Sequence, residues 1–187
     1  MLYTSIIKMN FFKEHGEFLS TESKDFIDKV LLGDNFPFYQ IPRTGTLGKE
    51  VNDELLNHLV LPRPEDRDIT ETVTSNFFGQ TKKILDEFLK AIDIEPAFYL
   101  RIAYNLTYNN GFEKSSPHID HNYDHKQAII YMNDVKDKEA KTVILNKNKI
   151  YKEVTPQQYK GVCFNNLKHY NYNPKAGKRI ALIGTFI

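Results

Sequence analysis

A chain of 187 residues with 41% hydrophobic and 13% aromatic content can bury its own core without disulfides or a structural metal, and one domain over 1–187 is expected. Its 25 basic and 24 acidic residues nearly cancel, which excludes the broad electrostatic footprint of a nucleic-acid or anionic-membrane binder, while the lone Cys163 excludes an intrachain disulfide and fits a reducing compartment. No apolar run approaches the roughly 18 residues of a membrane span, and Met1 to Phe12 carries Lys8 among short apolar runs with no small-residue cleavage site, so a soluble cytoplasmic protein is expected.

In chain order, residues 2–7 (Leu-Tyr-Thr-Ser-Ile-Ile) read as a short strand. Ser20 or Thr21 can cap a helix whose Phe26, Ile27, Val30 and Leu31 share one stripe before Gly33 ends it. The aromatic run Phe36-Pro37-Phe38-Tyr39 suits an edge strand, where proline is tolerated. Prolines and glycines punctuate residues 43–68, predicting loops around a short apolar segment near Leu55 to Leu61. Thr70 to Asp93 carries Phe77, Phe78, Ile84, Leu85, Phe88, Leu89 and Ile92 near a helical period, so a helix packed on the outside of a sheet is expected. From Phe98 the pattern turns to strands: 98–108, 128–132, 142–145, 149–154, 161–164 and 179–187, with Asn109-Asn110-Gly111 as a turn that accepts positive φ. Helices followed by a run of strands predict an α+β protein whose strands close into a sandwich or barrel.

Pro117-His118-Ile119-Asp120-His121 is the stretch on which chemistry can be built. On a strand, His118 and Asp120 project from the same face. With His169 arriving from another strand, two imidazoles and one carboxylate would hold one side of a metal and leave its other positions open. That donor set suits non-haem Fe(II) that must also bind oxygen and a co-substrate. His121 faces away from Asp120 on a strand and His125 falls in the following turn, so neither is expected to be a ligand.

Spacing extends the motif. His169 lies 49 residues after Asp120, and Arg179, within Gly177-Lys178-Arg179-Ile180-Ala181-Leu182, lies ten after His169. Tyr108 stands ten before His118 in a Tyr-x-x-Gly context, and Tyr131 opens Tyr131-Met132-Asn133. In this order and spacing the segment from Phe98 to Ile187 resembles the Fe(II)/2-oxoglutarate-dependent oxygenases, in particular the prolyl-4-hydroxylase-like branch and its phage-encoded relatives. The resemblance implies a double-stranded β-helix (jelly-roll) core over residues 98–187, with residues 1–97 as a support region whose helices pack on the sheet. It implies His118, Asp120 and His169 as metal ligands and catalytic residues, and Arg179 as the anchor for the far carboxylate of 2-oxoglutarate, with Tyr108 and Tyr131 in the co-substrate pocket. The cofactors implied are Fe(II), 2-oxoglutarate and O2, with ascorbate as a reductant. The reaction implied is hydroxylation of an unactivated C–H bond with release of succinate and CO2.

Tyr104 shares a strand face with Tyr108 and competes for its role. A peptidyl-prolyl residue is the first expectation for the substrate and a small molecule the second; for a phage-encoded protein the site of action would be the host cytoplasm. Two other readings stay open: a cupin-type metalloenzyme that does not use 2-oxoglutarate, and a non-catalytic binding or structural module that keeps the fold. Selectivity is expected in the loops 43–68 and 122–126, because binding residues concentrate on loops held by a rigid scaffold.

Overall fold

The structure, a computed structural model, describes residues 11–41, 55–66 and 73–187. Among the described residues ten strands form two antiparallel sheets: β1 (Phe12–His15), β2 (Tyr39–Ile41), β3 (Leu55–Leu61), β4 (Tyr99–Tyr108), β5 (Lys126–Tyr131), β6 (Thr142–Asn146), β7 (Lys149–Val154), β8 (Gly161–Asn165), β9 (His169–Asn171) and β10 (Lys178–Phe186). The major sheet has seven strands in the order β1-β8-β5-β10-β4-β3-β2, and the minor sheet has three, β7-β6-β9. Single-residue bridges, Lys114 to Tyr172 and His118 to His169, attach the segment after β4 to the free side of β9. This is the α+β arrangement that the order of elements implied and the double-stranded β-helix (jelly-roll) that the resemblance implied, with helices α1 (Thr21–Phe26) and α2 (Phe78–Ala91) packed on the major sheet.

The period of two along β10 divides the molecule into its two interiors. Ile180, Leu182 and Phe186 face α2 and join Ile84, Leu85, Phe88 and Leu89 in the larger core, whereas Ala181 and Ile183 face the minor sheet and pack with Ile129, Tyr131, Ile144 and Phe164. The helix comes close because glycines dent the sheet beneath it. A Cβ on Gly161 would lie 2.5 Å from the Phe88 ring, and one on Gly184 would lie 2.7 Å from Leu85 Cδ2. Gly161→Ala is therefore expected to lower stability by about 1–3 kcal/mol through overpacking, read as a lower urea midpoint with an unchanged slope.

Local chemistry sets the helix ends. Ser20 Oγ accepts from Ser23 N and caps α1, as expected, and one turn of π-helix at Ile27–Leu31 continues it. Ile27 and Leu31 are buried, but Val30 is exposed, because the wider π turn rotates it off the stripe. The second helix begins at Phe78, later than the periodicity predicted: the Ser75 side chain accepts from Phe77 N and its carbonyl from Phe78 N, forming a turn before the helix. The expected strand at residues 2–7, most of the expected loop at 43–54, the segment 67–68 and the start of the expected helix at 70–72 lie outside the described residues.

The short apolar segment at 55–61, expected between loops and given no element there, is a full strand between β2 and β4. Within it His58 is buried and bonded at both ring nitrogens, with Pro37 O and Ser75 Oγ each at 2.7 Å. One expectation needs correction: the His118 stretch is no regular strand, being held to β9 by one bridge with mutual backbone hydrogen bonds of 3.0 and 2.9 Å.

Burial holds the His58 pKa below its ordinary 6.5, only partly offset by the Pro37 carbonyl. The folded state then binds fewer protons than the unfolded state as pH falls below about 6.5, so stability declines on acidification. Urea midpoints measured from pH 7.5 to 5 are expected to show that decline and to lose this component in His58→Gln. Among the described residues no helix is long and apolar enough to cross a membrane.

Candidate metal and co-substrate site

The inner faces of the two sheets enclose a cavity lined by Arg101, Asn105 and Thr107 of β4, Gln127 of β5, Thr142 of β6, His169 of β9 and Arg179 of β10, together with His118 and Asp120. Hydrophobic walls are supplied by Leu55, Ile129, Ala181 and Ile183. His118, Asp120 and His169 come together here, with one donor atom from each lying within 4.8 Å of the others.

Each histidine is oriented by its own chain. His118 Nδ1 lies 2.9 Å from Ser116 O, and His169 Nδ1 lies 3.2 Å from Leu167 O. Donation to those carbonyls places the proton on Nδ1 and leaves the Nε2 lone pair for a ligand, the usual outer support of a metal-binding imidazole. Asp120 Oδ1 accepts from Arg63 Nη2 at 3.1 Å, with Arg101 Nη1 at 3.9 Å. Its Oδ2 is buried without a hydrogen-bond partner among the described residues, 3.7 Å from His169 Nε2. Gln127 Nε2 lies 3.1 Å from the same imidazole nitrogen. Burial alone would raise the Asp120 pKa, but the neighbouring His169, His118, Arg101 and Arg63 hold it well below the usual carboxylate range. An anionic oxygen lacking a donor and two imidazole nitrogens, all converging, make a mixed N/O set that fits a divalent cation. Four-coordinate closure would require a further side chain, and the described cluster contains three.

Arg179 is buried on the same cavity wall, its Nη1 3.4 Å from Ala140 O. Arg179, Ala181 and Ile183, alternate residues of β10, line the cavity. Tyr131 sits on this side, paired in register with Ala181 and donating to Thr142 Oγ1 at 2.8 Å, and burial pushes its phenol up to about 12. Tyr108 does not fit the co-substrate role read from its spacing. It pairs with Lys178, one residue out of phase with Arg179, and packs against the helix-side core. Tyr104 is on that side too, fully buried and bonded to Thr81 Oγ1 at 3.0 Å. The residue opposite Arg179 is Thr107, whose buried Oγ1 has no hydrogen-bond partner among the described residues.

His121 and His125 stay out of the three-residue cluster. His121 Nε2 bonds Thr185 Oγ1 at 2.8 Å and its Nδ1 faces Glu65 Oε1 at 3.3 Å; His125 Nδ1 donates to Tyr123 O at 2.9 Å. Sequence reasoning missed Arg63, Arg101, Asn105, Thr107, Gln127 and Thr142. For the β4 members the signal was present: the odd positions of 98–108 are the polar ones, and they face a polar cavity rather than solvent.

No protein-family model matches the sequence, and no curated protein matches it. Solved structures do. An oxidoreductase of the 2OG-Fe(II) oxygenase family from Burkholderia pseudomallei aligns with a TM-score of 0.69 at 12% identity, over 94% of this chain and 84% of that one. A prolyl hydroxylase from Trichoplax adhaerens, in complex with a hypoxia inducible factor oxygen degradation domain peptide fragment, aligns at 0.67 and 13%, over 96% and 84%. A prolyl-4-hydroxylase from Pseudomonas putida aligns at 0.61 and 12%, over 95% and 92%. At such identities the shared property is architecture, and the chain has the fold of the 2OG-Fe(II) oxygenases and prolyl-4-hydroxylases.

Proposed function

We propose that the protein is an Fe(II)- and 2-oxoglutarate-dependent dioxygenase that hydroxylates an unactivated C–H bond, built as one domain over 1–187 with 98–187 as its catalytic core. The observation that carries this reading is the convergence of His118, Asp120 and His169 in one cavity with the buried Arg179, on a fold shared with such oxygenases. Iron and 2-oxoglutarate, when bound, supply the oxidative chemistry, coupling release of succinate and CO2 to hydroxylation of the substrate by O2.

The chain's own residues bind and orient. Nε2 of His118, Nε2 of His169 and the Asp120 carboxylate would hold the metal, with the Ser116 and Leu167 carbonyls fixing both imidazole tautomers. Three protein donors leave room for co-substrate and oxygen, which a fourth would obstruct. Arg179 would grip the far carboxylate of 2-oxoglutarate, since its planar fork makes two parallel charge-assisted hydrogen bonds. Thr107, opposite Arg179, takes the place foreseen for Tyr108, while the Tyr131–Thr142 bond stiffens the wall beside it. Leu55, Ile129 and Ile183 keep water from the reacting centre.

A prolyl residue of a peptide is the leading substrate, by the likeness to prolyl hydroxylases, one of them crystallised with a peptide. The free, buried Cys163 is in keeping with action in a reducing compartment such as the cytoplasm. The test is to incubate purified protein with Fe(II), O2 and 2-oxoglutarate, with and without proline-containing peptides, and to measure succinate and CO2. Equal amounts of both, dependent on Fe(II), are expected. A cupin-type enzyme using the same ligands without 2-oxoglutarate would release neither.

A further inference from the structure

Asn57 is a buried amide in the mostly apolar strand β3. Its Nδ2 donates to Asn105 Oδ1 at 2.6 Å across the β3–β4 pair, while its own Oδ1 is buried without a hydrogen-bond partner among the described residues. An acceptor sealed away from water in this manner destabilises a fold, and an apolar side chain of similar size would remove that penalty. What the amide does instead is fix its neighbour. Asn105 lines the cavity, with Asn57 behind it in the sheet. Their bond occupies the oxygen of the Asn105 carboxamide and leaves its two N–H bonds for the cavity.

Register says what those N–H bonds meet. Tyr131, Ala181, Asn105 and Asn57 form one row across β5, β10, β4 and β3. That row lies two residues, roughly 7 Å, from the row of Arg179 and Thr107. The His118, Asp120 and His169 cluster lies farther along the same direction, where Gln127, opposite Thr185, comes within 3.1 Å of His169 Nε2. A five-carbon diacid with its far carboxylate on Arg179 therefore brings its 2-oxo acid end past Asn105. Ala181 is the small residue of the row and leaves room above the sheet for the carbon chain. A 2-oxo acid that grips a metal through its keto oxygen and one carboxylate oxygen keeps its other carboxylate oxygen as an acceptor. Resting on the dioxygenase reading, we propose that Asn105 donates to that oxygen, holding the near end of the co-substrate as Arg179 holds the far end, and that Asn57 is the positioning residue that aims it. An ionised acceptor makes this hydrogen bond one of the stronger kind.

The test is carried out under nitrogen on Mn(II)-loaded protein, reading the fall in water-proton relaxation as a 2-oxo acid displaces water from the metal. The probes are 2-oxoglutarate and 2-oxopentanoate, which has the same near end and no far carboxylate. Asn105→Val is expected to weaken both by about tenfold or more, whereas Arg179→Gln weakens 2-oxoglutarate alone. Asn57→Leu is expected to weaken both by about threefold or more and to add nothing in the Asn105→Val background, the non-additivity of one residue acting through another. Its urea midpoint is expected to be unchanged or raised, because the unpartnered oxygen is gone. Mn(II) affinity is expected to stay within about threefold in every variant, since neither asparagine belongs to the metal-binding cluster.

A loss in Asn105→Val confined to 2-oxoglutarate would put the amide at the far carboxylate and overturn the proposal. Unchanged affinity for both probes, or wild-type protein that takes 2-oxoglutarate but not 2-oxopentanoate, overturns it as well. An Asn57→Leu loss that persists in the Asn105→Val background overturns the positioning role. Wild-type protein that binds neither Mn(II) nor 2-oxoglutarate overturns the dioxygenase reading itself, and this proposal with it.

Discussion

Replacing His169 with alanine is expected to abolish turnover and to weaken Mn(II) or Fe(II) binding by more than roughly 100-fold, beyond the 10–100-fold typical of losing only an outer partner. The side chain is one of the three proposed donors, and the other two lie on one short loop segment, His118 to Asp120. The fold should survive. The backbone bonds between residues 118 and 169 do not involve the imidazole, and Asp120 keeps Arg63 and Arg101. The urea stability of metal-free protein is expected to change by no more than about 2 kcal/mol, the range of ordinary single substitutions. His121→Ala is the matched control, since that imidazole bonds Thr185 and Glu65 rather than joining the cluster. Metal titration of the two variants, followed by the electron paramagnetic resonance of free Mn(II), should separate them. Binding retained in His169→Ala and lost in His121→Ala would reverse the ligand assignment.

Arg179→Gln is expected to leave metal affinity nearly unchanged and to weaken 2-oxoglutarate binding on the order of 100-fold, the factor that follows from removing one partner of a buried charge pair at about 3 kcal/mol. Arg179→Lys keeps the charge but not the planar fork, so a loss of about tenfold is expected. Tyr108→Phe should be neutral within about twofold, because that ring packs on the helix side of the sheet. Thr107→Val should weaken 2-oxoglutarate binding by a smaller factor than Arg179→Gln, as the loss of one neutral hydroxyl partner costs about 1 kcal/mol. Titration of the Mn(II)-loaded variants with 2-oxoglutarate by calorimetry ranks all four. A Tyr108→Phe loss comparable to that of Arg179→Gln would restore the reading from spacing and contradict the register of β4 and β10.

The contrast between Tyr108 and Thr107 shows what the sequence carries and what it leaves open. Alternation on β4 and β10 was legible, since Leu100, Ile102, Leu106, Ile180 and Leu182 repeat every second residue. It separates two faces but does not say that both are interior, one against α2 and the other around a polar cavity. Tyr108 was therefore judged by its distance from His118, when its phase relative to Arg179 decides its position. His118, Asp120 and His169 were legible as a set because a convergent donor group needs those residue types, whatever the local backbone does. The single bridge that holds His118 to β9 was not legible, for one pair of hydrogen bonds leaves no periodic trace. At β3 an apolar segment was legible but not its strand, because Asn57, which bonds Asn105 at 2.6 Å inside the sheet, and His58, satisfied by Pro37 and Ser75, interrupt the apolar pattern with polar residues. Arg63 gave no signal and Arg101 only that of its phase on β4, because their nearness to Asp120 arises from long-range pairing.

The most direct test of the central claim is calorimetric titration of 2-oxoglutarate into the wild-type protein under nitrogen, once with Mn(II) bound and once after chelation. On the proposed reading Arg179 would hold one end of the co-substrate and a metal on His118, Asp120 and His169 the other, so saturable one-to-one binding is expected with Mn(II), weakened on the order of 100-fold or more without it. Binding of equal strength in both titrations, or none in either, would contradict the account.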